Sequence, residues 1–283
     1  MIAVTGANGQ LGRLVLSSLE RLQARLVTAL VRNPGAAQDL RSQTVSVRRA
    51  DYDDPESLGE SLAGIRTLLL ISSSEIGRRA AQHAAIIEAA AAAGVTHLVY
   101  TSILNAPVSS MKLAQEHRDT EARLGRSGLS TVILRNSWYL ENYLDAVRAA
   151  AAHGVLYGAA GDGRIHAATR ADLAEAAARV LIDPASHAGS VYELAGQPGF
   201  TMADLAAAVS ARAGRPVEYA DRDEAGYAAL LEGMGVPAPF ADILADSDAA
   251  IRRGALASDS RDLAGLLGRP PADWSGVTAI LEP

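Results

Sequence analysis

The sequence predicts an α/β protein: a Rossmann-type doubly wound parallel sheet with a smaller C-terminal α/β substrate-binding part. Three observations predict it. Short apolar runs alternate with helical patterns through the first half of the chain, and such alternation implies βαβ units with right-handed crossovers. The first run leads straight into a glycine-spaced turn and then a helix. The 283 residues, 49% hydrophobic and 20% charged, suit one nucleotide-binding domain plus an appended part.

The elements follow in order. Ile2 to Thr5 is an apolar strand, and Leu11, Val15, Leu19 and Leu22 lie at helical spacing. Leu26 to Val31 and Val45 to Val47 are the second and third strands. Asp54-Pro55-Glu56 reads as a helix cap, a proline at the first helical position and an acidic first turn. Leu68 to Ile71 is continuously apolar, as a strand buried on both faces should be. A helix over Ala80 to Ala93 stops at Gly94, Leu98 to Thr101 is a fifth strand, Gln115 to Leu124 is helical, and Ser130 to Leu134 is a sixth strand. Beyond Asn136 the pattern loosens. A helix is expected from Leu140 to Ala152, a glycine-rich strand region over Val155 to Gly163, a helix over Asp172 to Leu181 and a late strand over Val191 to Leu194. Thr201-Met202-Ala203-Asp204 resembles a capping box with Asp in place of Glu and opens a helix to Ala213, after which Pro237, Pro239, Pro270 and Pro271 punctuate the chain. We expect a Rossmann-type unit over 1–136 and a smaller substrate-binding region over 137–283. The boundary is soft, because such chains often cross back to the sheet.

Several function classes are excluded. With a net charge of −6 and only isolated arginine doublets, the chain lacks the electrostatic footprint for nucleic acid. There is no cysteine, hence no disulfide, thiolate metal site or cysteine nucleophile. The six histidines (83, 97, 117, 153, 166 and 187) show no metal-ligand spacing, so no metal is expected, and there is no G-x-S-x-G elbow or P-loop lysine. The Ala80 to Ala93 helix is too short to span a bilayer and carries Gln82, His83 and Glu88, so no membrane insertion is expected. The opening residues show no basic leader or cleavage site, and we expect a cytoplasmic protein.

Gly6-Ala7-Asn8-Gly9-Gln10-Leu11-Gly12 has the spacing G-x-x-G-x-x-G, a variant of the dinucleotide fingerprint. One glycine makes the turn, a second lets backbone approach the pyrophosphate, and a third lets helix and strand pack closely. The helix N-terminus then presents N–H groups and positive dipole to the phosphates. The end of the second strand separates NAD from NADP, and here it reads Leu30-Val31-Arg32-Asn33-Pro34. No carboxylate stands there to take the ribose 2′-OH; Arg32 can instead pair a 2′-phosphate through its planar fork. The alternative is an exposed arginine at the sheet end. NADP(H) is therefore the expected cofactor. Ser72, Ser73 and Ser74 follow the fourth strand, where ligands lie in open α/β sheets, and they suit ribose contacts; Ser74 equally suits a helix cap. Asp51-Tyr52 after the third strand would border the adenine or be plain loop.

At this point the chain resembles the atypical short-chain dehydrogenases of the NmrA-like group, and within it the bacterial NADPH-dependent quinone reductases. The segments that carry the likeness are Val4 to Gly12, Ala29 to Pro34, Leu70 to Glu75, Ala114 to His117, Leu134 to Tyr139 with Glu141-Asn142-Tyr143, Gly158 to Gly163, and Ala168 to Asp172. The resemblance implies NADPH-dependent two-electron reduction of quinones. It also implies cofactor contacts from the glycine loop, Arg32, the strand-four loop, the Asn136 to Asn142 stretch (Ser137, Trp138 and Asn142 included) and Arg170.

The chain departs from the dehydrogenase pattern at the catalytic pair. Lys112 is its one lysine, and Val108 stands four residues before it, so there is no Tyr-x-x-x-Lys. Where the family lysine aligns stands His117, with Glu121 four residues on. His117 would bond the nicotinamide ribose or donate a proton near neutral pH; packing inside a helix layer is the alternative. Losing the pair suits quinone chemistry. A hydroquinone anion is a far weaker base than an alkoxide, so hydride transfer needs chiefly proximity and ring alignment. Asn136, Trp138, Tyr139 and Asn142 follow the sixth strand, where amides would orient a carbonyl and aromatic rings would stack on a planar substrate. The catalytic candidates are His117, Tyr139 and Asn136. Two other readings stay open: a non-catalytic NADP(H) sensor that regulates a protein partner, and another reductase or epimerase drawing its proton from His117, Tyr139 or Tyr143. A homo-oligomer is compatible with each.

Overall fold

Seven strands run parallel in one sheet of the computed structural model, which describes residues 1–281. They are β1 (Ile2–Val4), β2 (Val27–Val31), β3 (Val45–Arg49), β4 (Thr67–Leu70), β5 (His97–Ile103), β6 (Ser130–Asn136) and β8 (Val191–Leu194), in the order β3-β2-β1-β4-β5-β6-β8. The order reverses at the β1–β4 boundary, and a ligand crevice lies beyond the carboxyl ends of the strands at such a switch point. Alternation along each strand divides its side chains between the two faces. Leu69 and Val99 enter a core under α1 (Gln10–Arg21) and α6 (Arg170–Ile182). Leu68, Leu70, Leu98 and Tyr100 enter the opposite core under α2 (Pro55–Ser61), α3 (Arg79–Ala92) and α4 (Lys112–Leu124). Burial on both faces is why these strands are continuously apolar.

The chain returns to this sheet after β6. Ala174, Ala177 and Ala178 of α6 are buried in the α1-side core, and β8 pairs with β6 in register Ile133↔Val191 to Asn136↔Leu194. The remaining elements build a third core around Leu156, Ile165, Phe200, Leu205, Val209 and Ile251. They are α5 (Leu144–His153), β7 (Val155–Gly158), α7 (Met202–Ala213), β9 (Glu218–Asp221) and α9 (Ala238–Arg252), with α8 (Glu224–Gly233) packing on α9 and α10 (Asp262–Leu267) packing back on α6 and β8. β7 and β9 form a separate parallel pair.

The predicted caps form. Asp54 Oδ1 accepts the Ser57 N–H at 3.3 Å with Pro55 at the first helical position. Thr201 and Asp204 close a reciprocal capping box, N–H to oxygen at 3.1 and 2.8 Å. Three expectations are corrected. The helix expected over Leu140 to Ala152 is a 3₁₀ turn over Leu140–Tyr143 followed by α5. The strand region after Val155 ends at Gly158, because the backbone then turns under Tyr219 and Asp248. Pro237 and Pro239 are not loop punctuation: they sit at the N-cap and in the first turn of α9, where a missing N–H costs nothing.

Gly12 permits the close packing of α1 on β1. A Cβ there would stand 2.4 Å from Gly6 O and 2.7 Å from Ala7 Cα, backbone atoms that cannot step aside. Gly12→Val is therefore expected to destabilise the fold by about 1–3 kcal/mol, the cost of overpacking. Urea unfolding of the two proteins checks this, and an unchanged midpoint would show that α1 can shift outward freely.

Candidate cofactor and substrate site

The glycine turn divides its work among three residues. Gly6 takes φ +56°, the left-handed region that makes the turn. Gly9 is exposed, donates its N–H to Gly6 O at 2.9 Å, and is the N-cap of α1. Gly12 is the buried packing glycine. No side chain caps α1, and no carboxylate lies in its first turn. Its positive end is therefore open to an anion at the sheet's carboxyl edge. Gln10 is exposed there, whereas the Leu11 side chain lies in the core, leaving only its backbone to face a ligand. Asn8 is braced by Arg13, which donates to its Oδ1 at 2.5 Å and its carbonyl at 3.2 Å while pairing with Asp39.

A cavity of about 360 Å³ opens between this turn and the ends of β2 and β3, lined by Gly6, Asn8, Gly9, Arg32, Asn33 and Tyr52 among others. Arg32 is two-thirds exposed at its mouth, and its Nη2 donates to Glu75 Oε1 at 2.5 Å. Among the described residues Arg32 Nε and Nη1 carry no partner. The Tyr52 hydroxyl is buried with no hydrogen-bond partner. Burial pushes it up to about 12, with the Arg32 charge pulling the other way.

The strand-four loop is wired into the layer beneath it. Ser72 N–H donates to Thr101 Oγ1 at 2.9 Å. Ser73 N–H donates to His83 Nε2 at 3.0 Å, its hydroxyl donates to Gln82 Oε1 at 2.6 Å, and its carbonyl accepts from Arg79 Nε at 2.6 Å. Ser73 is thus committed to holding the loop, while the Ser72 and Ser74 hydroxyls have no partner among the described residues. Ser74 does not cap α3. That helix begins at Arg79, after a turn through Gly77.

Below the loop lies a buried histidine pair. His83 accepts at Nε2, so its proton is on Nδ1, which donates to Thr120 Oγ1 at 2.9 Å; the Thr120 hydroxyl donates to the Glu116 carbonyl at 2.8 Å. His117 Nδ1 shares a 2.8 Å hydrogen bond with the Tyr100 hydroxyl, and the His117 residue is 6% exposed. Burial pulls both histidines down to about 3, assisted by the nearby Arg79 charge. His117 is therefore neutral at pH 7, and the expectation that it donates a proton as an imidazolium near neutral pH is corrected. It retains one ring N–H for hydrogen bonding. Glu121 is engaged elsewhere, bound bidentate by Arg135 at 3.0 and 2.7 Å.

The end of β6 carries two orphaned groups. Asn136 Oδ1 and Ser137 Oγ are buried without a hydrogen-bond partner, a state that costs free energy unless a ligand or water completes it. Trp138 packs on the C-terminal core and Tyr139 on the α1-side core, so the two rings do not form one stacking surface. The Ala168 N–H donates to Trp138 O and the Leu140 N–H donates to Ala168 O, each at 3.0 Å, and these bonds hold this stretch. The Arg170 guanidinium lies 4.5 Å from the Tyr139 ring centroid, donates to Asn142 Oδ1 at 2.8 Å, and neighbours Glu141 at 3.6 Å. Burial raises the Tyr139 hydroxyl above its ordinary value. Sequence reasoning missed Glu75, Arg79, Gln82, His83 and Thr120. Glu75 stood inside a quoted segment, but its partner Arg32 is 43 residues away.

The histidine burial makes a pH prediction. A histidine held neutral in the fold, against an ordinary value near 6.5, stabilises fully above that value and loses its contribution as pH falls toward about 3. The stability advantage of the native protein over His117→Gln is expected to shrink by about 2 kcal/mol between pH 7 and pH 5. Urea titrations of both proteins at the two pH values measure it. A pH-independent difference would mean His117 protonates freely in the fold.

Comparison with known proteins places this geometry. A family model described as NAD(P)H-binding matches residues 6–184. Quinone oxidoreductase 2 of Escherichia coli strain K12 is 51% identical over 271 residues, 95% of this chain and 94% of that protein. The crystal structure of the Escherichia coli NADPH-dependent quinone oxidoreductase complexed with NADPH superposes with a TM-score of 0.96 at 48% identity, covering all of both chains. The triphenylmethane reductase of Citrobacter sp. complexed with NADP(H) superposes with a TM-score of 0.94 at 34% identity, again over all of both chains. By its family model, its sequence and its fold, the chain belongs to the NAD(P)H-binding family.

Proposed function

We propose that the protein is an NADPH:quinone oxidoreductase that reduces quinones by direct hydride transfer, without a Tyr-x-x-x-Lys pair. The observation that carries this reading is the end-to-end likeness to the NADPH-complexed quinone oxidoreductase. The residues divide accordingly. Gly6, Asn8, Gly9, Gln10, Leu11 and Gly12 hold the pyrophosphate through backbone N–H groups and the α1 dipole. Arg32 takes the 2′-phosphate with its two unpartnered nitrogens, and Tyr52 borders the adenosine. Ser72 and Ser74 offer hydroxyls along the ribose side, with Ser73 holding the loop. The nucleotide-binding work falls to 1–136 and the substrate-binding work largely to 137–283, with α6 and β8 of the second region completing the first region's layers.

The bound dinucleotide supplies a hydride. The chain's own part is to align the acceptor and exclude water. At the β6 end the buried Ser137 hydroxyl can donate to a carbonyl oxygen, Asn136 Oδ1 can only accept from a ligand N–H or O–H, and Trp138 and Asn142 complete the wall. Tyr139 is fixed under Arg170, whose cation also meets Asn142. His117 serves as a neutral hydrogen-bonding group, not as an acid. No strong acid is required, because water can protonate a hydroquinone anion once it is formed. Among the described residues no group of metal-ligating side chains is assembled, and no helix is long and apolar enough to cross a membrane. The setting we propose is a cytoplasmic enzyme acting on a small quinone, with no nucleic-acid partner; a homo-oligomer is compatible with it.

Loss of absorbance at the reduced-nicotinamide band, with NADPH or NADH and a panel of simple quinones, tests the proposal. Quinone-dependent oxidation of NADPH with little use of NADH is expected. Arg32→Ala should raise the KM for NADPH roughly ten- to a hundredfold, the loss of a charge-assisted pair, and leave NADH unchanged. Tight NADP(H) binding with no turnover on any quinone would favour the non-catalytic sensor instead.

A further inference from the structure

We propose that Glu75 is a positioning residue for cofactor choice: it fixes Arg32 so that the guanidinium's free edge meets the 2′-phosphate. The inference deepens the proposed reading and rests on Arg32's role in it. Glu75 lies beyond β4 and Arg32 at the end of β2, so their bond spans the carboxyl end of β1, which lies between those strands. Glu75 is itself anchored. Its Oε2 accepts from Arg78 Nη1 at 3.1 Å and from Gln82 Nε2 at 2.9 Å, and its own N–H donates to Ser73 Oγ at 3.2 Å. Ser73 in turn is tied to Gln82, His83 and Arg79. The buried layer under the loop thus reaches Arg32 through one carboxylate.

The other carboxylates at this mouth have guanidinium partners of their own. Asp53 pairs with Arg78 at 2.8 Å, and Asp54 and Asp51 pair with Arg49 at 2.6 and 3.6 Å. Glu75 uses only Nη2 of Arg32, and Nε and Nη1 stay unpartnered among the described residues. A long side chain that is two-thirds exposed loses rotamer freedom when it clamps a ligand. Glu75 removes that loss before binding, because Arg32 is already held. A mere competitor for Arg32 would be a swinging carboxylate, and this one is held at both ends.

Calorimetric titration of the full chain with NADP⁺ and with NAD⁺ tests the proposal in the native protein and in Glu75→Ala, Glu75→Gln, Arg32→Ala and the double variant Arg32→Ala/Glu75→Ala. Glu75→Ala is expected to weaken NADP⁺ roughly three- to tenfold and leave NAD⁺ unchanged. Glu75→Gln, which keeps an acceptor for Nη2 and can be read if the alanine variant misfolds, should lose less than threefold. In the Arg32→Ala background Glu75→Ala should change nothing further. Unchanged or tighter NADP⁺ binding by Glu75→Ala, or equal loss of both dinucleotides, overturns the role of Glu75 while leaving Arg32's intact. An undiminished NADP⁺ preference in Arg32→Ala overturns both.

Discussion

The absence of one Cβ at Gly12 governs the geometry of the whole nucleotide side. Because that position is bare, α1 lies against Gly6 O and Ala7 Cα and starts close over the end of β1. The glycine turn and the start of α1 are referred to that placement. The turn must reverse sharply, hence Gly6 with φ +56°. The helix must begin without a side-chain cap, hence the exposed Gly9 and an open positive end. The helix must also present apolar residues downward, hence Leu11 in the core immediately beside the exposed Gln10. A bulkier residue at position 12 would move the anion site away from the sheet edge, and with it the alignment between the glycine turn and the cavity at Arg32.

A second layer of order comes from polar groups buried away from the cavity. His83, Thr120, Gln82 and Arg79 satisfy one another and the strand-four loop, which leaves the loop backbone little freedom. Neutral histidines suit this work: each ring offers a donor and an acceptor without the desolvation cost of a charge. A lysine in place of His117 would be charged there and would require a counter-ion in the α3–α4 layer. The nearest carboxylates are already committed, Glu116 to Arg79 and Glu121 to Arg135. A lysine at position 117 would therefore meet the Arg79 charge without relief, whereas an imidazole can be carried neutral.

What was legible in the sequence is what depends on short range. The alternation of runs yields the sheet and its parallel sense, and the spacing of Gly6, Gly9 and Gly12 yields the tight turn into α1, because each signal is set by neighbours within a few residues. The place of Arg32 at the end of β2 was legible because it stands at a fixed distance from a strand. Glu75 was not assigned, since its meaning depends on a partner across the β1 end. The faces of Trp138 and Tyr139 were not readable either: adjacent residues on an irregular stretch take their directions from Ala168, a late segment. α9 escaped detection because Pro237 and Pro239 read as breakers, yet at a helix start the missing N–H is one of the unpaired donors in any case.

The end of β6 shows how the two halves of the chain share one site. Asn136 and Ser137 belong to the sheet strand, but the residues that hold the next segment come from the far side of the returning chain: Ala168 by backbone bonds and Arg170 by its guanidinium. Arg170 also opens α6, the helix that packs on α1. The wall of the proposed quinone pocket is thereby coupled by covalent chain and by packing to α1, the helix proposed to cradle the phosphates. Such coupling matters for a reaction whose demand is alignment. With no acid–base pair to lower the barrier, hydride transfer depends on holding donor and acceptor rings at a fixed separation, and a rigid link between the phosphate cradle and the substrate wall meets that need. The unpartnered Asn136 Oδ1 and Ser137 Oγ fit the same logic. Their unmet hydrogen bonds are a standing cost in the folded chain, and a bound ligand that completes them recovers that cost only when it is seated in register with the strand end.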